Sequence, residues 1–209
     1  MTTKQLLPVV LVLWGGLALW TLRTVRAHAQ NVEVAVEDDN DDDDNDEDDR
    51  ALTGVWSAGN EAFAVGERGA VYHSDDGGRV WVRQETGVDE DLRAVYGSHG
   101  HIFAVGDNGR ILRQRAPGVW ESLASGVDED LHAVWGTGSE IWAAGDEGVV
   151  LFTRDGGSTW SRIDSGTDED LRAIAGAPGG VYVSGDNGVL KKISSTRLST
   201  TGGAPAHQG

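Results

Sequence analysis

The feature that most limits how this chain folds is its period. LTGVW begins at Leu52, LRAVY at Leu92, LHAVW at Leu131 and LRAIA at Leu171, giving steps of 40, 39 and 40 residues. An apolar segment follows each start and ends in Gly-acid-x-Gly: EAFAVGERG, HIFAVGDNG, EIWAAGDEG and GVYVSGDNG. Next come AVYHS, RILRQR, VVLFTR and VLKKI, and then the tryptophan-bearing WVRQE, WESLA and WSRID. Each unit therefore reads as four strands of about five residues joined by short turns. Asn108-Gly109 and Asn187-Gly188 suit two-residue hairpin turns, whose central residues need positive φ.

A unit near forty residues with four strands is the size of a β-propeller blade. Ile102, Phe103, Ala104 and Val105 run apolar without alternation, as a sheet covered on both faces requires. Separate hairpins would leave such strands unburied. The expected fold is all-β: a propeller of four four-stranded blades, closed or as a half-ring. Trp81, Trp120 and Trp160 recur at the start of the fourth strand, where an indole can cover the blade edge and its neighbour. Burying one stabilises by about 2–3 kcal/mol, more than most turn preferences. The tryptophan thus persists while the turn before it drifts from SDDGGRVW to RQRAPGVW. Forty residues beyond Trp160 stands Thr200, in a segment (KKISSTRLSTTGG) without a tryptophan, so the fourth blade is expected to be degenerate. An open arc of four blades would expose two faces, and a homodimer would cover them by completing a larger ring.

Two of the turns carry a recognisable pattern. Ser74-x-Asp76-x-Gly78-x-x-Trp81 and Thr153-x-Asp155-x-Gly157-x-x-Trp160 resemble Asp-boxes, or BNR repeats, which occur in the propellers of sialidases, sortilin-type receptors and photosystem II assembly factors. The whole unit also resembles tandem repeats of secreted bacterial propeller proteins with no assigned role. The resemblance covers residues 51 to about 200. It implies the propeller fold, and it implies that the box aspartate binds backbone amides rather than substrate. A fold shared by so many activities does not by itself assign one.

Charge is unevenly distributed. The formal net charge is −17, and Glu37 to Asp49 (EDDNDDDDNDEDD) holds eleven acids and no base. From Arg50 onward 22 acids face 14 bases, a net of −8. No basic patch is visible, so nucleic acid is not an expected partner. With no cysteine, disulfides, thiolate metal sites and thiol nucleophiles are excluded. Residues 1–29 have one lysine, an apolar stretch from Leu6 to Leu22 and then Ala27-His28-Ala29, the layout of a secretory signal cleaved before Gln30. The alternative is an uncleaved anchor over residues 6–22, which would be the chain's one link to a membrane. The expected location is secreted, periplasmic or otherwise extracytoplasmic. Residues 30–50 read as a disordered acidic linker, 51–200 as the propeller and 201–209 as a disordered tail.

Strand direction sorts the loops onto two rims. The turns between second and third strands share a rim with the connections between blades. That rim gathers Glu67, Asp107, Asp146, Glu147 and Asp186 with three triplets: Asp89-Glu90-Asp91, Asp128-Glu129-Asp130 and Asp168-Glu169-Asp170. Its field is expected to attract a basic protein or envelope partner, or Ca²⁺. The bland alternative is a solvated loop repeated by duplication of the unit. Catalytic residues are not expected. Arg93 and Arg172 lie on first strands, but Thr53 and His132 occupy the same place in the other blades, so the arginine cluster of a sialidase is not assembled. The acids repeat symmetrically, unlike a glycosidase pair in two distinct environments. His99, His101 and His132 lack metal-ligand spacing. The sequence thus reads as a non-catalytic exported binding or scaffold propeller, with a glycan-binding or glycoside-hydrolysing protein as the alternative.

Overall fold

The computed structural model describes residues 50–98, 100–177 and 179–193. The proposed signal or anchor, most of the acidic linker, His99, and the C-terminal segment from residue 194, with the proposed tail, lie outside the described residues.

Among the described residues, fifteen strands follow one another in four antiparallel meanders. Blade one comprises β1 (Leu52–Ala58), β2 (Glu61–Gly66), β3 (Val71–Ser74) and β4 (Val82–Gln84). Blade two comprises β5 (Leu92–Ser98), β6 (His101–Gly106), β7 (Ile111–Ala116) and β8 (Val119–Leu123). Blade three comprises β9 (Leu131–Thr137), β10 (Glu140–Gly145), β11 (Val150–Thr153) and β12 (Ser161–Ile163). Blade four shows β13 (Leu171–Ala177), β14 (Gly180–Gly185) and β15 (Leu190–Ile193). Its expected outer strand falls among residues that are not described. The architecture is a four-bladed β-propeller, as the period requires.

The blades stack face to face, because a lone four-stranded sheet with apolar residues on both faces leaves half its core in water. Phe63, Val65 and Val71 of blade one pack on Leu92, Val95, Ile102, Ala104 and Leu112 of blade two. The next junction repeats this with Phe103, Val105 and Ile111 against Leu131, Val134, Ile141, Ala143 and Leu151. The third joins Trp142, Ala144 and Val150 to Leu171, Val181 and Val183. Outer-strand tryptophans finish the first two junctions edge-on to the preceding blade. Trp120 meets Phe63 at 6.2 Å and Trp160 meets Phe103 at 6.4 Å, both at 83°. The indoles are half-buried rather than sealed in, and among the described residues no blade precedes that of Trp81. Inner strands pack in series, β1 on β5, β5 on β9 and β9 on β13, and no comparable packing joins β1 to β13. The described blades form an open arc.

Two glycine sets explain the Gly-acid-x-Gly spelling. The second glycine of each turn takes positive φ beside a positive-φ residue: Arg68-Gly69, Asn108-Gly109, Glu147-Gly148 and Asn187-Gly188. The first glycine is needed for space, not for its dihedrals. A Cβ on Gly66, Gly106, Gly145 or Gly185 would lie 1.9–2.1 Å from a carbonyl oxygen of the connection entering that blade. Each clash is with main chain, which cannot swing aside. Gly106→Ala should therefore destabilise by roughly 3 kcal/mol or more. Gly100→Ala, where nothing lies within 4 Å but φ is +80°, should cost only about 1 kcal/mol. Urea unfolding of the two variants checks the order, and equal losses would contradict the close-approach account.

Candidate functional site

The rim that collects the hairpin turns and the inter-blade connections is built by one repeated hydrogen-bond device. The main-chain carbonyl entering each blade accepts the first amide of that blade's turn: Ala51 from Glu67 at 3.0 Å, and Asp91 from Asp107, Asp130 from Asp146 and Asp170 from Asp186, each at 2.9 Å. The carboxylate of the same aspartate reaches back to the preceding turn. Oδ1 of Asp91, Asp130 and Asp170 accepts the amides of Arg68, Asn108 and Glu147 at 2.9, 3.0 and 3.1 Å. The third acid of each triplet thus ties two successive turns together, and that amide belongs to a positive-φ residue with no ladder partner there.

A register break in each innermost pair adds the next layer. Thr53, Arg93, His132 and Arg172 are the residues skipped where β1, β5, β9 and β13 pair with their hairpin partners. A bulge re-aims the side chain at its position, and three of these four meet the turn acids. Arg93 pairs with Asp107 and, at 3.0 Å, with Asp130. His132 Nε2 lies 2.6 Å from Asp146 Oδ1 and 2.6 Å from Arg172 Nη1. Arg172 holds Asp170 at 2.8 Å, Asp186 at 3.0 Å and Asp146 at 3.3 Å. Farther out, Arg110 pairs with Glu90, and Arg162 with Glu129 at 3.2 Å.

The acids of this rim do not stand alone. The sorting of loops is as expected, yet Asp91, Asp107, Asp130, Asp146, Asp170 and Asp186 are interleaved with Arg93, His132 and Arg172, and Glu90 and Glu129 each have an arginine. The sequence placed Arg93, His132 and Arg172 at one position of the first strands but did not bring them to the turn acids, which lie on loops. Their signal was present: Leu-Arg/His-Ala recurs at Leu92, Leu131 and Leu171. The first acid of each triplet is different. Asp89, Asp128 and Asp168 are exposed, while Glu90, Glu129 and Glu169 are half-buried, Glu169 accepting from Asn187 at 2.6 Å.

Titration follows these contacts. The hydrogen bond from Arg110 holds the Glu90 carboxyl below the usual range. For Glu129 a main-chain amide is the larger cause and Arg162 adds to it. Arg172 depresses Asp186 and is itself held charged by Asp186, Asp146 and Asp170. At Arg93 burial opposes the charge, and Asp107 with Asp130 outweighs it. Among the described residues no group of three His, Asp or Glu side chains is placed to hold a metal ion.

The box-like turns lie on the opposite rim, against the β1–β2 and β9–β10 loops (Gly77 amide to Asn60 carbonyl 2.9 Å, Gly156 to Ser139 3.2 Å). Ser74 Oγ donates to Asp76 at 2.8 Å and accepts the Gly78 amide at 2.9 Å, and Asp76 accepts the amides of Arg79 and Val80. Thr153 and Asp155 repeat the set with Gly157 and Thr159. Gly157 packs so tightly on Phe103 that a Cβ would lie 2.7 Å from its ring. All the bonds to these carboxylates are internal to the turn, so the turn is a structural clasp.

Two shallow grooves mark the acidic rim. One is bordered by Asp89, Glu90, Asp91, Asp107, Asn108 and Arg110, the other by Asp128, Glu129, Asp130, Asp146, Glu147 and Arg162. They are successive copies of one feature. Along the inner strands Trp56, Tyr96 and Trp135 form a half-buried aromatic row with centroids 6.4 Å apart.

No protein family matches the sequence, and no curated protein matches it. Solved structures do. YCF48 from Cyanidioschyzon merolae aligns with TM-score 0.55 and 16% identity over 70% of this chain and 54% of its own. YCF48 bound to D1 peptide aligns with TM-score 0.54 and 20% identity, over 74% and 56%. The computationally designed Ika4 protein gives 0.59 and 13%, over 69% and 92%, and an ancestral GH74 enzyme gives 0.51 and 18%, over 68% and 24%. At these identities the likeness is one of fold. The chain spans about half the length of the YCF48 chains.

Two outcomes test the rim and the clasp. Asp130→Ala removes the acceptor of the Asn108 amide and a partner of Arg93, and should cost about 1–3 kcal/mol. Asp128→Ala, two residues away and exposed, should stay within about 0.5 kcal/mol of wild type. Asp155 is held below the ordinary value chiefly by the Thr153 and Thr159 hydroxyls. Its folded pKa is thus below its unfolded value of about 4. The stability it lends is complete above about pH 4 and drains away as pH falls towards the folded value. In Asp155→Asn the urea midpoint should therefore fall less between about pH 4 and pH 2 than in wild type; parallel losses would contradict it.

Proposed function

We propose that the chain is a non-catalytic binding or scaffold propeller of the Asp-box type, working outside the cytoplasm and engaging a basic protein or envelope partner through the acidic rim. The observation that carries the reading is the exposed acid repeated at one place in each connection: Asp89, Asp128 and Asp168. Two of these border the repeated grooves, so a partner with basic groups at a matching interval could engage successive blades at once. The arginines behind them fix the remaining carboxylates, leaving a pre-ordered charged surface rather than a floppy one. Two further observations support a binding role. A propeller of this fold has been solved with a bound peptide. The apolar segment from Leu6 to Leu22 supports export.

The second reading is glycan binding or cleavage. It draws on the GH74 neighbour and on the aromatic row of Trp56, Tyr96 and Trp135, a surface on which sugar rings could stack.

One comparison separates the readings. Affinity capture from the host's extracytoplasmic fraction would use wild type, Asp89→Asn/Asp128→Asn/Asp168→Asn, and a linker control, Asp41→Asn/Asp42→Asn/Asp43→Asn. Three exposed charges at about 0.5 kcal/mol each predict roughly a tenfold loss of affinity for the rim variant at low salt and little change for the control. Equal capture by all three removes the rim reading. Signal on glycan arrays or in glycoside assays, abolished by Trp56→Ala/Trp135→Ala, would establish the second.

A further inference from the structure

The two ends of the arc carry faces that the repeat elsewhere buries. Within the chain, each blade presents one face to its predecessor and the other to its successor. The face towards a predecessor starts with a leucine and a valine on the first strand. Leu92, Leu131 and Leu171 are 0% exposed there, and Val95 and Val134 are 6% and 8% exposed. At the same positions of blade one, Leu52 is 55% and Val55 is 72% exposed. The face towards a successor centres on an aromatic residue and an aliphatic one. Phe63, Phe103 and Trp142 are at most 2% exposed, and Val71, Ile111 and Val150 are 0%. At the same positions of blade four, Tyr182 is 37% and Leu190 is 74% exposed. Terminal repeats that face water normally have polar outer faces. These ends do not.

We infer that the chain pairs with a second copy of itself, blade one of each protomer seated on blade four of the other. The occupant follows from the repeat. Three junctions inside the chain already pack the first kind of face on the second, so complementarity between the two free faces is built into the unit. The chain does not satisfy them itself, because no packing like that of β1 on β5 joins β1 to β13 and both Val55 and Leu190 stay exposed. A second arc offers both faces at once, and two identical joints close four blades and four blades into one ring. Eight blades fall within the range that propellers adopt, and a joint that closes under two-fold symmetry leaves no free end to grow. The orphaned Trp81 also gains a place. It occupies the position of Trp120 and Trp160, which meet Phe63 and Phe103 edge-on, and the residue at the phenylalanine position of blade four is Tyr182.

The absence of cysteine makes the test direct. Val55→Cys and Leu190→Cys are prepared as full chains, singly and together, and treated with a short bis-maleimide. Both sites are exposed in one arc, so neither substitution disturbs its core; far-UV circular dichroism confirms this. The expected results are a covalent dimer from the double variant, a covalent dimer from the two single variants mixed, and none from either single variant alone. A bridge within one chain, seen as cross-linked monomer from the double variant and nothing from the mixture, means that the arc closes on itself and overturns the proposal. So does a dimer from one single variant alone, or no cross-link at all. Without cross-linker, Leu190→Asp should halve the molar mass measured for wild type by light scattering; an unchanged mass also overturns the proposal.

Discussion

Burial of one blade's face by the next is the interaction on which this molecule rests. A meander of four strands with apolar residues on both sides has no stable existence in water. The core is accordingly not a central mass but three slabs, each between two sheets, with Phe63, Phe103 and Trp142 at equivalent places in them. Stability is then a sum of blades and junctions. That explains why an outer tryptophan outlasts the turn that leads to it. Trp120 follows Ala116-Pro117-Gly118, a plain reversal, and still meets Phe63 as Trp160 meets Phe103.

Slabs alone would let the sheets slide. The rim supplies register through short polar contacts that each span a junction. The aspartate at Asp91, Asp130 and Asp170 uses its carbonyl on one turn and its carboxylate on the turn before. Arg93 and Arg172 then draw turn acids of neighbouring units towards the bulged strands. Solvent-exposed ion pairs contribute little singly, but here they sit on carboxylates already fixed by main-chain amides. The acidic rim is therefore partly masonry, and the first acid of each triplet stays exposed outside it.

Blade boundaries, the sorting of loops and the positive-φ pairs at Asn108-Gly109 and Asn187-Gly188 were legible in the sequence, since hydrophobic patterning and turn chemistry act locally and the repeat states them several times. The ionic network was not. Apart from Arg172 and Asp170, its paired residues are separated by 14 to 40 residues, and what joins Arg93 to Asp107 is a bulge that the spelling Leu-Arg-Ala does not announce. Nor did the first glycine of each turn declare its purpose. In sequence it looks like turn flexibility, whereas in space it makes room for a carbonyl at Gly66, Gly106, Gly145 and Gly185. Pattern reveals what a residue does with its neighbours along the chain; close approaches between distant segments need coordinates.

The same rim device bears on how firmly two arcs would hold one another. Each internal junction has the aspartate that ties successive turns. At the head of blade one that position is Ala51, whose carbonyl still accepts the Glu67 amide but which has no carboxylate to reach an earlier turn. In a ring of two copies the turn at Asn187 would face this alanine, so the joint between chains would keep the apolar slab and lose the polar tie. It would also bring two bodies of like charge together. In such a ring the internal junctions would be the permanent ones and the joint between copies the weak seam, tightened by salt that screens the repulsion and opened by dilution.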